Sequence, residues 1–458
     1  MGVVSASLAG SVTKGHFKFP ESVRIEEPLA PLLLHPREAK YAFIRDIHGF
    51  GGGSFPSRIL CYILKSRRQT CGTIGSQCRG SEGVSLSHSK TSDSSKWEVV
   101  VIGAGPAGSI AAREMARAGY SVLLVDRAHF PRAKVCGSCL SARAVHLLGE
   151  IGLGSVLDGA IPAHTASLRF GIHRAEVSTR GVVISRETLD WRLVQAALRD
   201  GVAFRDSCTA SVLPVDPDGL RRVALHPAGS PAREVTAGVV ILASGLPGRR
   251  ETSVSSHTRI GAGTILDGHS SVPAGVVQMH IGTDGYVGLV RMEDGRIDAA
   301  AALAPGSPRG ISAAIARLLA NAGHPLAEIA RHSTWRGTPL LQGTAAHLAE
   351  PGLFLVGDAA SFVEPFTGEG ITWALEAGLA VTPYVRKALG GAVTEAADGW
   401  ERYYRNMLNR RQRVCRMIGA IVRQPLALRL AMGAIACVPS LAFPIIRQVH
   451  GARLATMP

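Results

Sequence analysis

The strongest constraint on the fold is a glycine-rich turn that joins a strand to a helix near residue 103. Residues 98–102 are a short apolar run, which predicts a buried parallel strand. Residues 106–118 are rich in alanine and other helix formers, and Gly119 ends that pattern. Residues 121–125 predict a second buried strand, which ends at Asp126. Strand, turn, helix and strand in this order predict one βαβ unit.

The turn of this unit carries three glycines in the spacing Gly-x-Gly-x-x-Gly. Gly103 suits a tight turn, Gly105 lets a pyrophosphate approach the backbone, and Gly108 lets the helix pack closely on the strand. The helix N-terminus then offers free N–H groups and a positive dipole end to phosphate. The alternative is an ordinary glycine-rich turn in an α/β core. The candidate dinucleotide-binding residues on this unit are Gly103, Gly105, Ala107, Gly108, Asp126, which would accept hydrogen bonds from ribose hydroxyls, and Arg127.

A second motif lies about 250 residues further along the chain, so the two motifs would belong to separated segments of one domain. A strand at 354–356 runs into Gly357 and Asp358, and the segment 365–371 opens a helix. This pair resembles the GD box of FAD enzymes in the p-hydroxybenzoate hydroxylase and geranylgeranyl reductase superfamily. The resemblance implies FAD as the cofactor, with Asp358 at a ribityl hydroxyl and a helix N-terminus beside the flavin pyrimidine. The residues implied at the cofactor are Gly357, Asp358, Pro365, Gly368, Glu369, Gly370 and Ile371.

A third segment narrows the resemblance to one branch of that superfamily. Residues 131–137 form the string Pro-Arg-x-Lys-x-Cys-Gly, which is similar to the geranylgeranyl reductase and FixC-like branch. In the wider superfamily an arginine of this loop contacts FAD, and Arg132 stands at the matching position. Arg186 and Asp190 match the next block of the branch, ahead of an amphipathic helix. The resemblance implies that Arg186 lies near the cofactor, and the alternative is a helix-start charge without a ligand.

The predicted fold class is α/β (α+β), with a Rossmann-like FAD-binding domain, an inserted mixed β-sheet substrate domain and a helical C-terminal part. Residues 1–96 show no sustained period, which predicts a disordered or non-native extension. The predicted divisions after it are 97–165 for the first FAD-binding segment, 166–305 for the mixed sheet with returning FAD-domain strands, 306–390 for the last FAD-binding segment and 391–458 for the helical part. A long helix is predicted from Glu369 toward Ala388.

The basic balance of the chain, a net charge of +15, is confined to its two ends. Residues 98–384 hold 25 basic and 25 acidic side chains, whereas residues 385–458 hold 12 and 3. No cluster of Lys and Arg interleaved with aromatic residues forms a known reader motif, so we expect no nucleic-acid partner. The 16 histidines are dispersed, and no His/Cys/Asp cluster has metal-ligand spacing, so we expect no metal.

Two cysteines, Cys136 and Cys139, form a Cys-x-x-Cys string inside the third segment. One interpretation is a redox dithiol that exchanges electrons with a nearby flavin. The other is structural, because Cys136 falls on the cysteine position of the branch and Cys139 could face the following helix. The chain lacks a secreted disulfide pattern, which favours a cytoplasmic protein.

The C-terminal segment has two interpretations. Residues 400–416 are rich in arginine, and residues 430–446 run without a charge but contain Pro439 and Pro444. The uncharged run is short of the roughly 20 residues that span a bilayer, so one interpretation is a peripheral membrane contact. The other is a helical cap that closes the active site.

These observations leave three functions open. The first is a reductase or dehydrogenase of the geranylgeranyl reductase type that moves a hydride between FAD and an apolar, isoprenoid or polyketide-like substrate. The second is an FAD-dependent monooxygenase that hydroxylates a small organic substrate. The third is an FAD electron carrier that docks to a protein partner. The chain has one dinucleotide motif, so the electrons would come from transiently bound NAD(P)H or from an electron-donor protein. No catalytic side chain is assigned.

Overall fold

The computed structural model describes residues 95–246, 252–253, 258–306 and 310–441. The first described strand starts at Lys96, one residue before the expected start at Trp97. The prediction for the N-terminal extension lies outside the described residues, except for its last two positions. Residues 442–458 also lie outside the described ranges, so the expectation for the apolar C-terminal run concerns described residues only as far as 441.

The described ranges contain nineteen strands in three sheets. The strands are β1 (Lys96–Ile102), β2 (Val122–Val125), β3 (Cys139–Ser141), β4 (Ile161–Phe170), β5 (His173–Val183), β6 (Ala203–Arg205), β7 (Cys208–Val215), β8 (Arg221–Pro227), β9 (Arg233–Leu242), β10 (Thr252–Ser253), β11 (Ile260–Leu266), β12 (Val276–Gly282), β13 (Gly285–Arg291), β14 (Ile297–Leu303), β15 (Arg336–Leu340), β16 (Gly343–Ala345), β17 (Ala349–Glu350), β18 (Leu353–Leu355) and β19 (Ser361–Phe362).

The same ranges contain nine α-helices and several short 3-10 turns. The helices are α1 (Pro106–Arg117), α2 (Ala142–Glu150), α3 (Arg186–Arg199), α4 (Gly310–Asn321), α5 (Ala327–His332), α6 (Gly370–Ala380), α7 (Thr382–Leu389), α8 (Val393–Arg423) and α9 (Pro425–Cys437).

The first sheet carries the predicted βαβ unit. Its parallel part has the order β18-β9-β1-β2-β6, and the hairpin of β7 and β8 pairs antiparallel with the start of β9. β1 lies in the middle, between β2 and β9, and its residues 99–102 are buried without alternation. α8 joins this core: Trp400 is fully buried, and its indole N–H donates to the carbonyl of Leu355 at 3.1 Å.

The second sheet has the order β15-β11-β14-β13-β12-β4-β5-β3 and is mixed, because β12 and β4 are parallel and the other pairs are antiparallel. One face packs against α4, where Val287 and Leu289 meet Ile315 and Leu319. The alternate residues of the same strands face a cavity, so both faces of the sheet are apolar. A small third sheet has the order β10-β16-β19.

The second sheet extends beyond the predicted range 166–305 at both ends. β3 and the start of β4 lie in the range 97–165, whereas β15 and its neighbours α4 and α5 lie in 306–390. The sheet thus crosses the predicted divisions, and the divisions themselves stay a prediction. Local periodicity identifies a strand but not its partner, and the partner decides the sheet to which a short edge strand belongs.

The helix expected from 369 to 388 is two helices, α6 and α7. The break falls at Val381, and α7 begins at Thr382 with Pro383 in its first turn. A proline has no N–H to donate to the preceding turn and clashes with its carbonyl, so a continuous helix is interrupted at this point. The N-terminus of α6 therefore stays near the first sheet, where it lines the cavity.

Candidate functional site

The turn between β1 and α1 leaves no room for side chains at two of its glycines. Gly103 has φ of +108°, and a Cβ there would lie 2.3 Å from the carbonyl oxygen of Ala243. A Cβ on Gly108 would lie 1.8 Å from the carbonyl oxygen of Gly103. Gly105 stands just before Pro106, the first residue of α1. Both Gly103 and Gly108 therefore require glycine for steric reasons.

Asp126 follows β2, and its carboxylate fixes the shape of this turn. Oδ2 accepts a hydrogen bond from the N–H of Ala104 at 2.8 Å, and Oδ1 accepts one from the N–H of Ala128 at 2.9 Å. The carboxylate keeps further lone pairs, so its contact with a ribose hydroxyl stays a prediction. The side chain of Arg127 is exposed and does not line the cavity described below.

Two guanidinium groups stand over Gly105. A Cβ on Gly105 would lie 3.7 Å from Nη2 of Arg132 and 4.0 Å from Nη2 of Arg186. The fully buried Asp190 holds both: it accepts hydrogen bonds from Arg186 at 2.8 and 2.7 Å and lies 3.2 Å from Nη1 of Arg132. Two cations and a helix N-terminus that converge on one glycine suit an anionic group such as pyrophosphate.

Arg186 therefore lies at the glycine turn and is buried, so it is more than a solvated charge at a helix start. Burial disfavours its charged form, but Asp190 and then Cys136 raise the pKa of the guanidinium above its usual value. Its charge is permanent at any physiological pH.

Lys134 is a third cation at this place, and sequence reasoning gave it no role. It lines the cavity, and its Nζ lies 3.2 Å from the position that a Cβ on Gly245 would take. Burial, followed by the charge of Arg186, lowers the pKa of its ammonium group. The available signal was its position in the segment 131–137, where Arg132 alone was assigned.

The second motif meets the first across the cavity. β18 ends before Gly357, whose φ is +60° and whose Cβ would lie 3.1 Å from Cβ of Ala107. Asp358 sits in the short 3-10 turn Gly357–Ala359 and lines the cavity. The hydroxyl of Tyr404, on α8, donates to the carbonyl of Gly357 at 3.4 Å. Residues about 250 positions apart in sequence thus form one wall.

The loop that follows brings the N-terminus of α6 to the same cavity. Gly368 has φ of +71°, Glu369 is buried at the N-cap, and Gly370 and Ile371 form the first turn. Of these four, all but Glu369 line the cavity. Pro365 lies in a 3-10 turn, and its side chain is not among the described parts.

The residues that surround the cavity fit FAD. The glycine turn and the cations Arg132, Lys134 and Arg186 offer a place for the pyrophosphate. Asp358 offers an acceptor for a polyol hydroxyl. The N-terminus of α6 offers free N–H groups to the anionic edge of a reduced flavin. Of the fifteen predicted residues, eight line the cavity: Gly105, Ala107, Arg186, Gly357, Asp358, Gly368, Gly370 and Ile371.

The cavity, of about 500 Å³, continues from the cofactor residues into an apolar compartment. The second sheet forms one side of it, and the end of α8 with the inner face of α9 forms the other. Its walls are mainly aliphatic, with aromatic rings at one end. The lining side chains include Leu168, Val277, Met279, Ile281, Tyr286, Val290, Phe362, Phe366, Ile418, Val422, Leu428, Met432 and Ile435.

A buried ionic cluster borders this compartment. Glu364 pairs with Arg259 at 2.6 Å and with Arg423 at 2.8 Å. The guanidinium of Arg259 lies 5.3 Å from the ring centroid of Tyr286, which packs edge-on against Phe366. Burial and then the charge of Glu364 raise the pKa of the Tyr286 hydroxyl, so it is protonated at neutral pH. No sequence spacing joins these residues, so sequence reasoning could not find them.

The two cysteines of the third segment both line the cavity and carry free thiols. Burial, with the neighbouring Cys136 and Asp298, raises the pKa of the Cys139 thiol well above its usual value. A thiol of that kind is a poor nucleophile at neutral pH. The hypothesis of a redox dithiol stays untested, and the geometry favours the structural interpretation for Cys139.

Metal-binding clusters and single membrane-spanning helices are both absent from the described ranges. No group of three or more His, Cys, Asp or Glu side chains within 95–246, 258–306 and 310–441 is placed to hold a metal ion. No single helix in those ranges is long and apolar enough to cross a membrane. Gln412–Arg423 and Pro425–Cys437 reach that length and composition only as a pair, and they are bent by 107° at their junction.

Comparison with known proteins gives a family and several relatives. The family described as FAD binding domain matches residues 96–392. The chain is 29% identical to a menaquinone reductase of Mycolicibacterium smegmatis, over 72% of this chain and 85% of that protein. It is 28% identical to digeranylgeranylglycerophospholipid reductase 1 of Methanopyrus kandleri, over 70% of this chain and 91% of that protein. These relatives confirm the resemblance to the geranylgeranyl reductase branch.

Solved structures show the same fold at low sequence identity. A flavoprotein/dehydrogenase from Cytophaga hutchinsonii has a TM-score of 0.60 at 19% identity, over 77% of this chain and 96% of that chain. A flavin-dependent brominase has a TM-score of 0.63 at 17% identity, over 78% of this chain and 94% of that chain. At this identity the likeness concerns the fold, and it confirms the predicted α/β architecture with an FAD-binding domain.

Proposed function

The chain belongs to the FAD binding domain family, and on that premise we propose that it reduces an apolar isoprenoid lipid with electrons from bound FAD. The family and the relatives named reductases make it an FAD-dependent oxidoreductase. The proposal concerns the direction of the reaction and the class of substrate.

One observation supports the proposal above the others: the cofactor residues and the apolar compartment share a single cavity. On the side away from Arg186 and Lys134, the walls offer aliphatic and aromatic carbon. A hydrocarbon chain gains free energy in such walls, at roughly 25 cal/mol for each Å² of apolar surface removed from water. A polar substrate would lose hydrogen bonds to water there without replacement.

The names of the relatives point to the same substrate class. Menaquinone and digeranylgeranylglycerophospholipid, named for the two reductases above, are lipids that carry isoprenoid groups. An isoprenoid chain carries regularly spaced methyl branches, and the flexible side chains of Met279 on the second sheet and Met432 on α9, both of which line the cavity, can adapt to them. We therefore place the isoprenoid part of the substrate in the apolar compartment.

In this proposal the chain's own residues bind and orient the cofactor and the substrate, and they exclude water. Arg132, Lys134 and Arg186 hold the anionic part of the cofactor, while the N-terminus of α6 faces the end that reacts. The flavin supplies the hydride chemistry when bound. The apolar side chains of α8 and α9 close the compartment, which keeps water from the reacting atoms.

The test is anaerobic. The flavin-loaded protein is reduced with NADPH, NADH or dithionite, and a menaquinone or geranylgeranyl lipid in detergent is then added without oxygen. We expect the lipid to reoxidise the flavin and to gain two hydrogen atoms, as measured by absorbance and mass spectrometry. If the lipid leaves the flavin reduced and acquires an oxygen atom only in air, the enzyme is a monooxygenase. If only a redox protein reoxidises the flavin, the chain is an electron carrier.

A matched pair of variants ties the activity to the cavity. Met279→Trp adds bulk inside the apolar compartment and should raise KM for the lipid at least tenfold with normal flavin content. Ile265→Trp adds the same bulk at an exposed position of the same sheet and should leave KM unchanged. Equal KM values for both variants and the parent chain would place the substrate elsewhere.

A further inference from the structure

We propose that the outer face of α9, together with the tip of the β4–β5 hairpin, is a surface that binds an anionic lipid bilayer. The inference rests on the proposed function, because it supplies the place from which a lipid substrate enters. The bilayer contact itself can be measured without turnover, so the two proposals can fail separately.

The outer face of α9 is apolar and exposed. Leu426 and Leu430, one helical turn apart, are 70% and 67% exposed, and the exposed Val438 and Leu441 continue the surface after the helix. Five of the ten large apolar side chains that are exposed in the described ranges lie between residues 417 and 441. Contiguous exposed apolar surface of this kind marks a site of interaction with a membrane or another protein.

The inner face of the same helix lines the substrate compartment. Leu428, Met432 and Ile435 point into the cavity, whereas Leu426 and Leu430 point away from it. The wall between the outside and the substrate compartment is therefore one helix thick at α9. A lipid that leaves a bilayer next to this wall would reach the cavity without crossing a polar surface.

The β4–β5 hairpin extends this surface. Its tip holds Ile172, which is 91% exposed, directly after Phe170 and Gly171. The guanidinium of Arg429, on α9, lies 5.8 Å from the ring centroid of Phe170. That distance is within the range of a cation–π contact, so the tip of the hairpin adjoins α9.

The charge around this surface matches an anionic partner. The described stretch 412–441 contains four arginines and no Asp or Glu. Of these, Arg413, Arg416 and Arg429 are exposed, and Arg416 and Arg429 directly precede the exposed Met417 and Leu430 in sequence. Bilayers that contain anionic lipid attract such cations by about 1 kcal/mol for each residue near the surface. Arginines next to exposed apolar residues are typical of helices that lie in a membrane interface.

The shape of the segment favours an interfacial contact over a span. The two helices Gln412–Arg423 and Pro425–Cys437 are bent by 107°, and each keeps one stripe of side chains against the protein. α9 has 13 residues, about 20 Å at 1.5 Å for each residue, which is shorter than the hydrocarbon core of a bilayer. It therefore suits a position parallel to the membrane plane.

The experiment is vesicle sedimentation of the full flavin-loaded chain. The vesicles contain phosphatidylcholine alone or phosphatidylcholine with phosphatidylglycerol, and the oligomeric state is measured in parallel by light scattering. We expect binding to the anionic vesicles that weakens with salt. Leu426→Ser with Leu430→Ser should weaken this binding at least tenfold, since each buried leucine is worth about a tenfold change. Arg429→Gln should weaken it a few fold on anionic vesicles only.

Matched controls separate this surface from general stickiness. Ile329→Ser changes an exposed apolar residue on α5 and should leave vesicle binding unchanged. The leucine pair lies outside the cavity lining, so flavin content, melting temperature and turnover of a short-chain substrate should also stay unchanged.

Two results would overturn the proposal. One is equal vesicle binding by the parent chain and the leucine variant. The other is a parent chain that does not sediment with vesicles and forms a dimer that the leucine variant breaks, in which case the surface binds a second copy. Failure of the proposed function would instead appear as normal vesicle binding without lipid reduction.

Discussion

Asp298 has a pKa near neutral pH, and the pH dependence of stability tests its buried contact with Ser138 quantitatively. The carboxyl group lies on β14, nearly fully buried, and accepts a hydrogen bond from the hydroxyl of Ser138. Burial raises its pKa from the usual 3.8 to about 7, although the Ser138 hydrogen bond and the charge of Arg186 oppose that rise. The contact joins the segment between Arg132 and Cys139 to the sheet that lines the cavity.

The direction of the pH effect follows from the raised pKa. Between about pH 4 and pH 7 the folded protein keeps a proton on Asp298 that the unfolded chain has released. The free energy of unfolding therefore falls as pH rises through this window, by about 1.4 kcal/mol for each pH unit. From pH 4.5 to pH 8 the loss is about 3 kcal/mol, most of which occurs below pH 7. With about 2.1 cal/mol/K of unfolding entropy for each residue that the structure describes, this is a fall of about 4 °C in Tm.

Asp298→Asn removes this titration and keeps the size of the side chain. The amide oxygen can still accept the hydrogen bond of Ser138, so we expect the variant to fold and to bind flavin. Tm is measured for both proteins by thermal unfolding from pH 4.5 to pH 8. The difference in Tm between the parent chain and the variant should shift by about 4 °C across that range, because only the parent carries the extra proton.

Asp294→Asn is the control, in the turn between β13 and β14. Asp294 is exposed, and hydrogen bonds from Arg296 outweigh its burial and lower its pKa. A lowered pKa makes the free energy of unfolding rise with pH, so removal of this carboxylate cannot abolish the fall that Asp298 causes. Parallel Tm curves for the parent chain and Asp298→Asn would refute the reasoning, since folding would then leave the pKa of Asp298 unraised.

Three further substitutions test the site. Gly105→Val puts a Cβ within 4 Å of both guanidinium groups and should lower the flavin content at least tenfold. Gly149→Val, whose Cβ meets no atom within 4 Å, should keep the flavin. Arg186→Gln leaves the carboxylate of Asp190 buried with one cation, so it should cost about 3 kcal/mol, or about 4 °C in Tm, while normal stability would contradict the buried pair. Glu364→Gln leaves two facing cations without their carboxylate and should lower Tm by several degrees, and an unchanged Tm would show that the cluster is solvated.

The sequence was sufficient for the FAD-binding part because its signals are local. A buried strand, a glycine turn and a helix follow one another without a gap at 98–118, and Gly103 and Gly108 each have a steric reason that the backbone reveals. The same holds for Gly357 and Gly368, whose positive φ values fall at turns. These features require no knowledge of which distant segment lies nearby.

The rest depends on contacts between distant segments, which periodicity does not encode. β3 and β15 are short strands of three and five residues, and only pairing with β5 and β11 assigns them to the second sheet. Glu364 and Arg259 are 105 positions apart, and each resembles a solvated charge until the fold buries them together. The C-terminal segment left two interpretations open because an amphipathic helix does not reveal which partner its apolar faces meet.

The Glu364 cluster also bears on how a lipid could enter. Arg423 is the last residue of α8, and its pairing with Glu364 ties that end of the helix to the loop before α6. α8 is anchored again where Trp400 donates to Leu355 in the first sheet. α9 has no comparable ionic anchor among the contacts of the described residues, and Leu428, Met432 and Ile435 hold it by apolar packing. Lipid tails can replace apolar packing at little cost, whereas breaking a buried ion pair costs about 3 kcal/mol or more. Contact with a bilayer should therefore displace α9 about the break at Gln424, while α8 and the flavin loop stay in place.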